Sequence, residues 1–381
     1  MKVLIFYAKY GGGHLSAANA LKEAIEVEYP NVEIEMIDFM EYVNKVVNKL
    51  TTGAYNEIAR RAPIVWGEVY NHSNKGPISR FSKTSNKILA IKLKHLINEI
   101  NPDVIISAHP FSTQMCAFLK KHNKINAKIA NVLTDFHSHD QWLVRHEYVD
   151  LFFVSNEDMK ENLIEYGIDK EKIFAFGIPI SQRFLREYDK EKTLKEFNLK
   201  NNIKTILFFA GGKYGLATKR VYDFIECFAR DFKDIQVIAI SGQNKKIYNK
   251  FNEIVEKYNA EENVKILEFT DKVPALMTIS DIVITKPGGI TSSESMAMRR
   301  SNSCCKSDSG TRRRKCRFFR KTWTCYKHKE KWWYNREAKR HYKWWWKIRK
   351  NKRKYKKICK AKRSKRYYYK NFKKIDWKTI V

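Results

Sequence analysis

The chain is predicted to be an α/β protein built from two successive doubly wound halves, each a parallel sheet covered by helices. Three observations predict this. Short apolar strands alternate with helix-length amphipathic segments along residues 1–298. Each half opens on a strand followed at once by a glycine-rich loop: Val3–Tyr7 then Gly11-Gly12-Gly13-His14, and Thr205–Ala210 then Gly211-Gly212-Lys213-Tyr214-Gly215. A last strand–glycine–helix unit, Asp281–Met298, closes the regular pattern, and at Arg299 the composition changes abruptly.

Val3–Tyr7 (VLIFY) is too short for the apolar region of a signal peptide and no cleavage pattern follows it. No run approaches the ~20 apolar residues that span a bilayer. Leu15, Ala18, Leu21, Ala24 and Ile25 then recur at mostly three- and four-residue spacing, the period of a helix. Val32–Ile37, Asp103–Ala108, Ala127–Leu133, Leu151–Val154 and Ile173–Ile178 read as further buried strands, so the first domain is placed at 1–184. Residues 185–202 are charged and read as a linker with one short helix. The pattern restarts in a second domain at 203–298, with helix Arg220–Asp231, strands Ile235–Ile240, Val264–Glu268 and Ile282–Thr285, and a helix beginning near Thr291. Ligands of open α/β sheets bind at the carboxyl ends of strands, so the glycine loops are expected to face a cleft between the two domains.

The formal charge of +33 would suggest a nucleic-acid or membrane-surface partner, but it is concentrated at one end. Residues 299–381 hold 34 of the 74 Lys/Arg and 4 of the 41 Asp/Glu, with seven of nine Trp and five of seven Cys. The remainder is nearly neutral. A basic, aromatic arm that binds nucleic acid is one reading of this tail. Against it, the tail has one Gly, no Pro, no sustained apolar period and no metal-spaced Cys pair. The other reading is translation out of frame. With AT-rich codons, Ser303–Lys321 read one nucleotide later gives VVVNPIPGQEEENADFLEK, and Lys331-Trp332-Trp333-Tyr334 gives NGGI. The shifted text has the Pro, Gly, acid and aliphatic content that the tail lacks, so the out-of-frame reading is preferred and nucleic acid is not an expected partner. The remaining cysteines, Cys116 and Cys227, cannot build a disulfide framework, and a reducing cytoplasm is expected.

Several positions carry candidate chemistry. Gly11-Gly12-Gly13-His14 lets a substrate approach backbone amides at a helix N-terminus, and His14 sits where a general base is useful. Thr134-Asp135-Phe136-His137-Ser138-His139 follows a strand, so its polar groups belong on the same side as His14, and Asp135 is either a base or the group that orients a histidine. Two histidines two apart with an acid also suggest a metal, but no third ligand cluster is evident, and no metal is expected. Gly211–Gly215 and Lys286-Pro287-Gly288-Gly289 lack a P-loop's arrangement yet suit the diphosphate of a nucleotide-diphosphate donor. Arg60, Arg61, Trp66, Arg80 and Phe81 mix basic and aromatic side chains as an anionic membrane surface requires; a solvated helical face is the plain alternative.

Taken in order, Gly11–His14, Thr134–Trp142, Asn156–Met159, Gly177–Ile180, Gly211–Gly215 and Asp281–Glu294 resemble the monogalactosyldiacylglycerol synthase and processive diacylglycerol glucosyltransferase family. The resemblance spans Met1–Met298. It implies a GT-B fold of two Rossmann-like domains and an inverting transfer of hexose from UDP-glucose or UDP-galactose to diacylglycerol. It also implies a peripheral position on the cytoplasmic side of the membrane. UDP-hexose would be a co-substrate, with no further cofactor. By position, Gly211, Gly212, Gly215, Lys286, Pro287, Gly288, Gly289, Thr291 and Glu294 would bind the donor. Gly12, Gly13, His137 and Trp142 would meet the acceptor, and His14, or else Asp135, would be the catalytic base. The family continues with a PIPGQEE-type segment that this chain lacks and the shifted frame contains. The second domain is therefore expected to be incomplete, residues 299–381 to lack a native fold, and this copy to be inactive or poorly folded. A lipid-linked peptidoglycan-precursor transferase is the alternative within nucleotide-sugar enzymes.

Overall fold

The computed structural model describes residues 1–9, 12–43, 90–138, 140–210, 219–286, 288–298 and 301–304. The chain divides at Pro179/Ile180 into two units, each with its own parallel sheet.

In the first unit the elements run β1 (Lys2–Tyr7), α1 (Gly13–Glu28), β2 (Glu33–Asp38), helical residues 90–100, β3 (Val104–Ser107) and α2 (Pro110–Lys121). They continue with β4 (Lys128–Val132), β5 (Leu151–Phe153), α3 (Glu157–Glu165) and the two-residue β6 (Ile173–Phe174). The sheet order is β2-β1-β3-β4-β5-β6, with every pair parallel. Val3, Leu4, Ile5 and Phe6 are all buried, as are Val104, Ile105 and Ile106, because a parallel sheet is covered on both faces. One core gathers Leu4, Phe6, Ile105, Ile129 and Phe152 with Leu93, Leu119 and Leu163 from the helices. Strand order reverses at β1, which lies between β2 and β3, so the loops after β1, β3 and β4 emerge side by side at the end where such sheets take ligands.

The second unit runs α4 (Lys190–Glu196), β7 (Lys204–Phe209), α5 (Lys219–Asp231), β8 (Ile235–Ile240), α6 (Lys245–Lys257), β9 (Val264–Leu267) and α7 (Val273–Ile279). It ends on β10 (Ile282–Thr285), α8 (Gly289–Ala297) and β11 (Ser301–Cys304). The parallel order is β11-β10-β7-β8-β9. Its core is aromatic on one face, where Phe208, Phe224, Phe228 and Phe251 meet; the Phe208 and Phe224 rings stack with centroids 4.2 Å apart.

The structure corrects four expectations. Strand Ile173–Ile178 stops at Phe174, although Gly177, at φ 94°, still donates its N–H to Val154 O at 3.1 Å. Residues 185–202 are not a linker: Phe184 and Leu199 are buried against Leu207, Ile238 and Leu276, and Leu194 and Phe197 pack onto the same cluster. The unit boundary accordingly falls before residue 184. The helices after the two glycine motifs open earlier than expected, at Gly13 and Gly289. Finally, Ser301–Cys304 forms a strand beside β10 within the segment expected to lack a native fold. The remainder of the tail, residues 305–381, lies outside the described residues.

Candidate active site

The first site is assembled at the carboxyl ends of β1, β3 and β4. Gly12 is the N-cap of α1 at φ 73°, a left-handed conformation that favours glycine, and no side chain caps the helix. This places His14 in the first turn, half-buried. Its Nδ1 lies 2.6 Å from Ala108 O, in the turn after β3. A carbonyl only accepts, so Nδ1 carries the proton, and in the neutral ring Nε2 holds the basic lone pair. Thr134 Oγ1, just past β4, lies 3.0 Å from the same Nδ1. The ring stands edge-to-face with His109 at 4.9 Å between centroids and 6.3 Å from the buried Trp142 ring.

Asp135 follows Thr134 and is half-buried, so the turn after β4 brings both candidates for the base to one end of the sheet. His137 Nδ1 donates to Ser138 O at 2.6 Å. Sequence reasoning singled out neither Thr134 as a partner of His14 nor His109. The available signal was topological: His109 follows β3 directly, as His14 and Thr134 follow the neighbouring strands. A lone His-Pro pair says nothing until strand order is known.

In the second unit, β10 ends on the buried Thr285, and Gly288 N–H donates to Lys286 O at 2.7 Å. Gly288 is the N-cap of α8 in an extended conformation and supplies no side-chain cap. The first-turn amides of α8 and the dipole behind them favour an anion, with Lys286 and Thr291 beside them. Glu294 lies one turn further on. Burial pushes its carboxyl up to about 7, against the opposing pull of the Arg183 guanidinium.

Gly211, Gly212, Gly215 and Pro287 lie outside the described residues, as do His139, Arg60, Arg61, Trp66, Arg80 and Phe81. Among the described residues no group of three or more His, Cys, Asp or Glu side chains is arranged to hold a metal. No helix among them is long and apolar enough to cross a membrane.

Residues 14–180 match the family profile of monogalactosyldiacylglycerol (MGDG) synthase. The chain is similar to the processive diacylglycerol beta-glucosyltransferase of Bacillus licheniformis, 28% identical over 304 residues, which are 78% of this chain and 75% of that protein. The enzyme of the same name from Bacillus subtilis is 28% identical over 305 residues, with the same coverage. Over these residues the chain is similar to this glycosyltransferase family. Residues 144–302, mostly in the second unit, also match the profile of UDP-N-acetylglucosamine 2-epimerase. Among solved structures, a glycosyltransferase from Rickettsia africae superposes with a TM-score of 0.55, at 14% identity over 97% of this chain and 94% of its own. An Anabaena protein in complex with UDP gives 0.53, at 14% identity over 100% and 97%. At that identity the likeness is one of fold.

Proposed function

We propose that this chain carries the machinery of an inverting transferase that moves a hexose from UDP-glucose or UDP-galactose to the hydroxyl of diacylglycerol. The observation that carries the reading is His14, held by Ala108 O so that Nε2 is its basic nitrogen, at the ligand end of the first unit. His14 Nε2 takes the acceptor's hydroxyl proton as that oxygen bonds to the anomeric carbon, and the bond from that carbon to UDP breaks on the opposite face. The departing diphosphate is received by the first-turn amides of α8 and by Lys286, with Gly288 and Gly289 at the start of that helix; Gly211, Gly212, Gly215 and Pro287 are assigned to the same group. Thr291 and Glu294 are assigned to the donor's sugars. Gly12, Gly13, His137 and Trp142 are assigned to the acceptor, with Asp135 as the second candidate base. Arg60, Arg61, Trp66, Arg80 and Phe81 are assigned to the anionic cytoplasmic face of a membrane, which delivers diacylglycerol. The likeness of residues 144–302 to a UDP-sugar epimerase supports a nucleotide sugar as the ligand of the second unit.

The same reading holds that residues after 298 are out of frame. The acidic and Gln positions of a PIPGQEE-type segment are then lost from the donor site, and the chain as it stands is expected to be inactive. The test is label transfer from UDP-glucose or UDP-galactose into anionic vesicles containing diacylglycerol. It is run with this chain and with a version whose frame is restored by one nucleotide. Labelled hexosyl-diacylglycerol from the restored version alone is expected. Label on a polyprenyl diphosphate acceptor instead would indicate the precursor transferase, and an acceptor-independent change in the UDP-sugar would indicate an epimerase. Glycolipid made by the chain as it stands would refute its inactivity.

A further inference from the structure

Beside His14 stands a second histidine whose surroundings are unusually constrained. His109 is the N-cap of α2, where its Nδ1 accepts from Phe111 N–H at 3.3 Å, so in its neutral ring Nε2 carries the proton. His14 is the opposite tautomer, with the proton on Nδ1. The two rings meet edge-to-face at 82°. The backbone that carries both the His109 ring and the Ala108 carbonyl is fixed from below. Ser107 Oγ and Ser112 Oγ each donate to His109 O at 2.9 Å. Thr113 Oγ1 lies 2.9 Å from Ser107 Oγ and donates to Asn131 Oδ1 at 3.0 Å. Asn131 Nδ2 in turn donates to Trp142 O at 3.2 Å. These four polar side chains are buried, so the knot ties β3, α2, β4 and the Trp142 turn into one seat.

We propose that His109 is a positioning residue for His14. Locked as a helix cap, it walls one side of the His14 ring and, with Ala108 O, keeps the Nδ1–H tautomer that leaves Nε2 as the base. The inference rests on the transferase reading for its purpose and on this geometry for its content. A residue that merely caps α2 would be replaceable by asparagine, which supplies the same acceptor. A residue that positions His14 would not.

Histidine nitrogen and carbon NMR on the full chain separates these roles, with the His14 signals assigned by their loss in His14→Gln. The wild-type chain is expected to show a single Nδ1–H pattern at His14. His109→Asn is expected to keep the thermal midpoint while His14 moves to a mixed or Nε2–H pattern. His109→Phe, which keeps a ring and loses the cap, is expected to lower the midpoint yet retain the Nδ1–H pattern. An unchanged His14 pattern in His109→Asn, or an Nε2–H pattern in the wild type, overturns the proposal. If His109→Asn fails to fold, His109→Phe decides: loss of the Nδ1–H pattern overturns the proposal and its retention supports it. This readout needs no turnover. Failure of sugar transfer by the restored-frame chain therefore breaks the functional reading while leaving this result standing, and the reverse holds equally.

Discussion

Two buried polar clusters, one in each unit, differ in how fully they are bonded. In the first unit the side chains of Ser107, Ser112, Thr113 and Asn131 all have hydrogen-bond partners, and their bonds end on the backbone that holds His14 and His109. In the second unit the hydroxyls of Ser293 and Ser295 are buried in α8 with no hydrogen-bond partner among the described residues. A buried polar group left unbonded costs about 1–3 kcal/mol, and native cores rarely keep two so close together. Helix α8 leads directly into the tail, and the strand that follows it reads Ser-Asn-Ser-Cys, where the shifted reading with AT-rich codons would put valine at positions 303 and 304. The contrast is between a first-unit cluster whose hydroxyls and amide are bonded, with Gln114 Oε1 next to it the buried exception, and an α8 that keeps two buried hydroxyls without a partner among the described residues. On this account the missing partners belong to the text replaced by the change of frame.

Ways to break the comparison run from large effects to small. Replacing His14 by Ala in the restored-frame chain is expected to lower kcat by ~10²–10⁴-fold with little change in thermal midpoint. A loss below tenfold would move the base to Asp135. Next comes Glu294. Its carboxyl is raised from 4.5 to about 7 in the folded chain, so folding binds a proton between those values. The stability it contributes is full below 4.5 and is lost as the pH rises through 7. Glu294→Gln is expected to abolish that dependence and to stabilise the chain above pH 7 by roughly 3 kcal/mol at most. Parallel pH–denaturation curves for the two proteins would contradict it.

Thr113→Val keeps the volume and strands Asn131 Oδ1 in the core, so urea unfolding should show a loss of about 1–3 kcal/mol. Ser295→Ala is the matched change in the other unit. In the chain as it stands it removes a hydroxyl that bonds to nothing described and should alter stability by less than ~0.5 kcal/mol or raise it. In the restored-frame chain the same change should cost about 1 kcal/mol, because the hydroxyl then has its partner. Equal effects in both backgrounds would remove the distinction between the two clusters.

Much of the fold was legible because parallel strands covered on both faces are written as unbroken apolar runs. Ile235–Ile240 and Ile282–Thr285 are found where the sequence places them, and β1, β3 and β4 differ only at their ends. The misreadings have local causes. Leu194, Phe197 and Leu199 are diluted among lysines and acids, so their packing onto the second core is invisible until α4 is docked. Gly13 and Gly289 are poor helix formers, and the helices that begin on them are fixed by the strands that feed them. At the site, His14 was legible from its glycine loop. His109 and Thr134 required strand order, which single-sequence periodicity does not contain. Ser301–Cys304 has little β-propensity, and its strand is set by the ladder with β10.

The most direct test of the account is the nucleotide sequence of the gene across and beyond the codons for Met296–Ser303. The frame one nucleotide later is expected to be open through the stretch encoding Ser303–Lys321 and to read as a Pro-, Gly- and acid-containing PIPGQEE-type segment. A shifted frame closed by early stop codons would contradict it, and would leave residues 299–381 as a genuine part of the protein.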